Sequence, residues 1–254
     1  IKGANNLPVS ASIHAFDTET EIDQREKASY DLAEMALIKR KRKLSEKEII
    51  QLEQPRNDAE EKEAIQRIYN DVDALQDSVL TRVEAMRGEA MSSGKLVINE
   101  NGYKATIDYG VPNAHKKEFT WSSGTPDILG NMDECVDKIV SDTGFTPTRV
   151  LTSKKILNVM LKDETIRKAI FGVNSDKLLS RKELNAFLQT LDLPQIATYD
   201  AKYRTLSLDG KHTAKRYFAE DAFAFMPDGD MGETLFGLTA EELELRKKSD
   251  VDMT

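Results

Sequence analysis

The residues whose types could carry chemistry are few and far apart. Hydrolysis through a covalent intermediate needs a nucleophile, a base and an acid that orients the base. The histidines are His14, His115 and His212, each in a stretch that reads as a loop, and no Gly-x-Ser-x-Gly is present. Solvent-exposed rings are the better reading of all three. Cys135 precedes Val136 on an amphipathic pattern, which favours a half-buried structural thiol over a nucleophile. Gly210-Lys211-His212-Thr213 lacks the upstream glycine and the adjacent Ser/Thr of a phosphate loop. Asp228-Gly229-Asp230-Met231-Gly232-Glu233 could hold calcium by its carboxylates, yet it lacks EF-hand spacing. Asn174-Ser175-Asp176 fails as well, with Leu179 where the loop's glycine belongs. A single cysteine excludes an internal disulfide framework and any multi-cysteine zinc or iron–sulfur site, and it fits a reducing compartment. The expectation is a protein with no catalytic residue, no cofactor and no metal.

One basic cluster remains, Lys39-Arg40-Lys41-Arg42-Lys43. It could contact phosphates or serve as a localisation patch. Because Glu34, Glu46 and Glu48 flank it, a solvated helix end or a salt-bridged subunit contact is the stronger reading. The 44 acidic residues outnumber the 36 basic ones for a net charge of −8, so this is not a chain built to coat nucleic acid.

The elements that must position these residues follow from composition and punctuation. With 39% apolar and 31% charged residues the chain is globular, and 254 residues suit one large or two small domains. Aromatic residues, at 7%, are thin for a single compact core. No apolar run approaches the roughly 20 residues of a membrane span. The opening Ile1-Lys2-Gly3 has neither a methionine nor the apolar stretch of a secretory signal, so a processed, trimmed or partial chain is expected.

Residues 1–22 are small and polar without a helical stripe, which reads as an extended arm. Residues 22–54 read as helical in two pieces. In the second, Ser45 is an N-cap, Glu48 its capping-box partner and Leu44 with Ile49 a staple, and the helix stops before Pro55. No glycine occurs between Gly3 and Gly88, and from Asn57-Asp58 the residues Ile65, Ile68, Val72, Leu75, Val79, Val83, Met86 and Ala90 recur at spacings of three and four. That predicts one helix over about 58–91, some 50 Å long at about 1.5 Å per residue. A coiled coil is the alternative, but Arg82 breaks its register and barely three heptads are sustained. A long helix laid across a sheet is preferred.

Asn101-Gly102 between Leu96–Glu100 and Tyr103–Tyr109 predicts a tight hairpin, because both turn residues must take positive φ. Its register sets Leu96 against Ile107, Ile98 against Ala105 and Lys95 against Asp108. Beyond the polar stretch 115–124 the elements shorten. A helix begins at Thr125-Pro126-Asp127, with Thr125 as cap and Pro126 at the first position, carries the stripe Leu129, Met132, Val136 and Ile139, and ends at Gly144. A strand at Arg149-Val150-Leu151 leads to a helix from Ser153 to Met160. A second capping box, Ser180 with Glu183, starts a helix bearing Phe187 and Leu188. Strands follow at 195–199 and 222–226. The class is α+β, with the second half a separate domain.

Several stretches also resemble a known family. Ile1-Lys2-Gly3-Ala4-Asn5-Asn6-Leu7-Pro8, then Ala15-Phe16-Asp17 and Asp23-Gln24-Arg25-Glu26, are similar to the extended loop and following helix of the lambda-type major capsid proteins, the E-protein family of tailed-phage heads with the Hong Kong 97-type capsid fold. Ala90-Met91-Ser92-Ser93-Gly94-Lys95, Thr143-Gly144-Phe145-Thr146-Pro147-Thr148-Arg149-Val150-Leu151 and Phe225-Met226-Pro227-Asp228-Gly229 leading to Gly232-Glu233-Thr234-Leu235-Phe236-Gly237 resemble later parts in the same order.

The resemblance implies an extension loop at 1–22 and a peripheral domain at 23–118 with a spine helix at 58–91 and a hairpin at 95–109. The axial domain would span 119–254, with a tail returning towards the peripheral domain. It implies a structural, non-enzymatic protein that assembles with itself into pentamers and hexamers of an icosahedral shell enclosing double-stranded DNA. Assembly would take place in the host bacterial cytoplasm, with scaffolding, portal and decoration proteins as further partners and no membrane involved. Subunit contacts are expected at Leu7, Pro8, Ile13, Phe16, Arg25, Lys39, Arg40, Lys41, Arg42 and Lys43. The alternatives are the shell of a non-viral encapsulating compartment with this fold and, further off, a metal-dependent enzyme with unfamiliar motifs.

Overall fold

The structure is a computed structural model that describes residues 36–100, 102–173, 176–206, 210–240, 242–244 and 247. Residues 36–45 carry no helix. The expected first helical piece is therefore corrected over its described part; the rest of it lies outside the described residues. Five consecutive cations set like charges four apart on any helix, which disfavours it. Helix α1 (Glu46–Glu53) begins as expected, with both halves of the Ser45–Glu48 capping box formed. That doubly bonded carboxylate, held by the Ser45 backbone and hydroxyl, sits below its ordinary pKa.

Helix α2 (Asp58–Ser93) is capped by Asn57, whose side chain accepts from the Glu60 N–H at 2.9 Å. Its buried residues, Val83, Ala85 and Gly88, all lie in its C-terminal part. There it lies on the hairpin of β1 (Lys95–Glu100) and β2 (Tyr103–Asp108), whose register pairs Leu96 with Ile107, Ile98 with Ala105 and Lys95 with Asp108. Leu96 and Ile98 face the helix side and are buried. Arg82 pairs with Glu100 at 3.2 Å, and Glu89 accepts from the Val97 N–H at 3.0 Å, so helix and strand are also tied by charge. The break that Arg82 makes in the apolar series serves this contact.

The second half is built on a three-stranded sheet in which β3 (Arg149–Thr152) lies between β4 (Gln195–Thr198), parallel to it, and β7 (Phe223–Met226), antiparallel to it. The parallel pair is bridged by α4 (Lys154–Lys162), α5 (Glu164–Phe171) and α6 (Arg181–Thr190), as a parallel connection requires. Helix α3 (Ile128–Thr143) precedes the sheet. One core joins them: Ile128, Met132, Val136, Val150, Leu157, Met160, Ile166, Leu184, Leu188 and Ile196 are buried together. Asn185 fastens α6 to β4, accepting from the Ile196 N–H at 2.9 Å and donating to its carbonyl at 3.1 Å.

Four further expectations need amendment. The cap of α3 is Asp127, which accepts from the Gly130 N–H at 2.9 Å, so Thr125 and Pro126 stand ahead of the helix. Helix α5 was not foreseen because one residue, Asp163, both ends α4 and caps α5. A second antiparallel ribbon, β5 (Lys202–Leu206) with β6 (His212–Arg216), was not foreseen either, and it places His212 in a strand rather than a loop. His115 closes a short 3-10 turn at Asn113–His115, with its side chain only 14% exposed. The expectation of a solvated ring fails there.

Candidate assembly surface

Among the described residues the expected chemistry-bearing side chains are not brought together; His14 and Asn174-Ser175 lie outside the described residues. His115 Nε2 lies 2.9 Å from Asp142, which also accepts from Lys138 at 2.9 Å. Those bonds, Lys138 first and His115 next, hold the Asp142 carboxyl below its ordinary value. The group thus straps the 110–122 connection onto α3. Lys117 pairs with Glu134 nearby, an interaction that raises the lysine pKa. Cys135 is half-buried and burial pushes its thiol up, which makes it a poor nucleophile. Gly210, at φ +78°, lies between the strands β5 and β6, whereas a phosphate loop leads from a strand into a helix. The Asp228-Gly229 turn is held by Arg149, which donates to the carbonyl of Pro227 at 3.0 Å and to that of Gly229.

A different polar network joins α2 to the second half. The Tyr199 hydroxyl donates to Glu84 at 3.0 Å, and burial followed by that bond raises the phenol to about 12. Tyr217 stacks between Tyr199 and Tyr203, with centroid separations of 5.9 and 4.9 Å. Asp200 accepts from the Lys154 N–H at 3.0 Å and from Arg216. These contacts are structural: they fix where the long helix meets the sheet domain.

The sequence-predicted contact residues fall into two groups. Leu7, Pro8, Ile13, Phe16 and Arg25 lie outside the described residues. Lys39, Arg40, Lys41, Arg42 and Lys43 are exposed on the irregular segment ahead of α1, and Arg42 pairs with Asp71 of the same chain. What composition did not signal is the extent of open apolar surface. Tyr69, Val72 and Leu80 stand exposed along α2, whose N-terminal half meets, among the described residues, α1 and Arg42 of the segment ahead of it. Leu235 and Phe236, at 74% and 70% exposure, project from the segment after β7. A groove of about 2370 Å³ runs beside α2, lined among others by Met86, Leu96, Trp121, Ile139 and Phe236. The Trp121 ring lies edge-on to Phe223 at 5.2 Å in its wall.

A mixed helix-and-sheet subunit with this much uncovered apolar surface has the character of a part made to be packed among others. The chain belongs to the family described as phage major capsid protein E, whose family model matches residues 6–250. No curated protein matches it. Among solved structures it is similar to one described as "the putative capsid protein of prophage (E.coli CFT073)", at 15% identity and a TM-score of 0.42. That match covers 73% of this chain and 53% of the other, so the chain spans about half of that protein's length.

Proposed function

We propose that the protein is the repeating subunit of a tailed-phage or prophage head, assembling with itself into pentamers and hexamers of an icosahedral shell around double-stranded DNA. The observation that carries this reading is the match to the capsid family over residues 6–250. The exposed apolar residues Tyr69, Val72 and Leu80 on α2 support it, since an amphipathic helix in water needs a partner for its apolar stripe. In a Hong Kong 97-type layout, residues 1–22 are the extension loop. Residues 23–118 form the peripheral domain around α2 and the β1–β2 hairpin, and 119–254 the axial domain. Leu7, Pro8, Ile13, Phe16, Arg25 and Lys39 to Lys43 then contact neighbouring subunits. Scaffolding, portal and decoration proteins are the further partners that such a head would engage, and the host cytoplasm is where it would form. The role is structural, with no catalytic step.

Size-exclusion chromatography and negative-stain imaging of the expressed full-length protein test this. Capsomers or closed shells are the expected result, with DNA as the content of shells from infected or induced cells. A stable monomer or small oligomer at high concentration would overturn it. Shells filled with a cargo enzyme instead of DNA would mark a non-viral compartment.

A further inference from the structure

The β5–β6 ribbon is strongly basic although the chain is acidic. Residues 202–216 contain Lys202, Arg204, Lys211, Lys215 and Arg216 against the single acid Asp209, while the whole chain carries −8. Directly paired residues of an antiparallel ribbon share a face. Tyr203 with Lys215 and Thr205 with Thr213 therefore form one face; Lys202 with Arg216, Arg204 with Ala214 and Leu206 with His212 form the other. Tyr203 rests on the Tyr217 ring and is half-buried, its hydroxyl held above its ordinary pKa chiefly by that burial, so the first face turns towards α2. The second face points away from the body. Lys202, Arg204, Leu206, His212 and Ala214 are all exposed on it, and only Arg216 is drawn inward, to Asp200 and Glu220. The side chains of Lys202 and Arg204 make no ion pair or hydrogen bond among the described residues.

We infer that this outward face, with Lys202 and Arg204 at its centre, contacts the phosphate backbone of duplex DNA without reading its sequence. The inference rests on the proposed role as the subunit of a DNA-enclosing shell. Alternate residues on a strand lie about 6.7 Å apart, so the two cations form a row of fixed spacing. Duplex DNA presents one negative charge per roughly 1.7 Å of axis, so such a row meets phosphates in any register. Base readout needs amide or guanidinium groups aimed at base edges in a groove. The described part of the face offers one outward guanidinium, Arg204, with Ala214 and Leu206 beside it and no side-chain amide, too few readout groups to fix a base register, which suits backbone contact. A protein partner would need a buried aromatic or aliphatic anchor, and among the described residues of this face Leu206 is the only large apolar side chain, and it is exposed. The contact is weak by construction, because only two unpaired cations are engaged. It agrees with a shell that confines DNA mechanically without neutralising it.

Fluorescence anisotropy with a fluorescein-labelled DNA duplex of mixed sequence and the full-length chain tests this between about 50 and 200 mM salt. The wild type should bind at the low end, with an affinity no tighter than micromolar at the high end. The double variant Lys202→Gln/Arg204→Gln should lose several-fold in affinity and flatten the salt slope by about 2, at roughly 0.9 per phosphate contact. Each single variant should give half that change. Lys104→Gln/Lys162→Gln removes the same charge from exposed positions elsewhere and should leave both quantities unchanged. Equal losses in the two double variants, no loss in the ribbon variant, or no binding by the wild type would overturn the inference. So would salt-sensitive self-association that disappears in the ribbon variant while DNA affinity stays, since the face would then meet a second copy. Negative-stain images of the same preparations keep the two readings apart. Shells of the ribbon variant with unchanged DNA affinity reject the ribbon contact alone, and a wild type that forms no large assembly rejects the shell.

Discussion

Gly88 approaches Tyr217 so closely that a Cβ at the glycine would lie 2.0 Å from the Tyr217 carbonyl oxygen and 2.6 Å from its carbonyl carbon. The neighbour is backbone and cannot swing aside. Phe218, the next residue, is buried at 1% exposure, so this is where α2 is seated on the rest of the molecule. Helix propensity alone would favour alanine over glycine inside a helix by about 1 kcal/mol. The crossing explains why glycine stands there.

Gly88→Ala should therefore destabilise the protein by about 1–3 kcal/mol through forced separation of α2 and the Tyr217 backbone. Urea unfolding followed by circular dichroism measures it. A variant as stable as the wild type, or more so, would mean that the crossing is looser than described.

Gly102 is the contrasting position. Its φ is +83° and nothing lies within 4 Å of where a Cβ would be. Gly102→Val should thus cost about 1–3 kcal/mol from backbone strain alone, with lost solubility or misassembly. An unchanged melting temperature and unchanged assembly would show that the turn does not set the hairpin's register.

Tyr199 gives a test at alkaline pH. Its phenol is raised from 10.0 to about 12, so the neutral form is favoured in the folded state. The stability this provides is complete below pH 10 and is lost as pH rises towards 12. Ultraviolet titration should show a late-ionising tyrosine signal, to which the raised Tyr203 also contributes, that shrinks by one tyrosine in Tyr199→Phe, and that variant should lose about 0.5–1.5 kcal/mol at neutral pH with the hydrogen bond to Glu84. A titration curve identical in the two proteins would contradict the assignment.

Asp142 gives the acidic counterpart. Its carboxyl is depressed below 3.8 by Lys138 and His115, so its contribution is present above that value and fades as pH falls through the lower folded one. Asp142→Asn should melt below the wild type at pH 6, with the gap closing in strongly acidic buffer. A gap that persists at pH 2 would assign the loss to packing instead of charge.

The arm at 1–22 is the remaining prediction. Leu7, Val9, Ile13 and Phe16 are spread among polar residues and form no stripe of their own. Ordering an extended segment costs roughly 1–2 kcal/mol per residue, which docking on another surface must offset. We propose that it docks on a neighbouring subunit through Leu7, Ile13 and Phe16, with strand-like pairing near Pro8. Deletion of residues 1–20 should leave a folded protein with nearly unchanged helical content that builds no closed shells. Normal shells from the shortened chain would remove the docking role, and its collapse as a monomer would place the arm in its own subunit's core.

Local signals made much of this fold legible before any coordinates. The Ser45–Glu48 and Ser180–Glu183 boxes mark helix starts because each satisfies backbone donors reciprocally. Asn101-Gly102 marks a hairpin whose register then follows by counting. What escaped had weaker or competing signals. Asp163 serves two helices at once and hides the second. In the β5–β6 ribbon the run Lys202-Tyr203-Arg204-Thr205-Leu206 before Asp209-Gly210 was the available clue, but its two apolar residues, Tyr203 and Leu206, fall on opposite faces and mark no apolar side. The basic run at 39–43 was visible as a patch, while its local shape was not, because charge repulsion overrode the helical pattern around it. His115 gave no warning of its burial, since its partner Asp142 lies 27 residues away.

The long helix has a mechanical consequence. From Asp58 to the seat at Gly88 it extends about 45 Å, and no residue of that stretch is buried before Val83. It is a lever clamped near one end. A tilt of only about 5° at the seat would carry the far tip through about 4 Å at this length, without disturbing Met132, Val150 or Leu184 in the sheet domain's core. In a shell of the proposed kind, one subunit could then meet neighbours at unequal angles by tilting at this clamp, where Val83, Ala85 and Gly88 are buried.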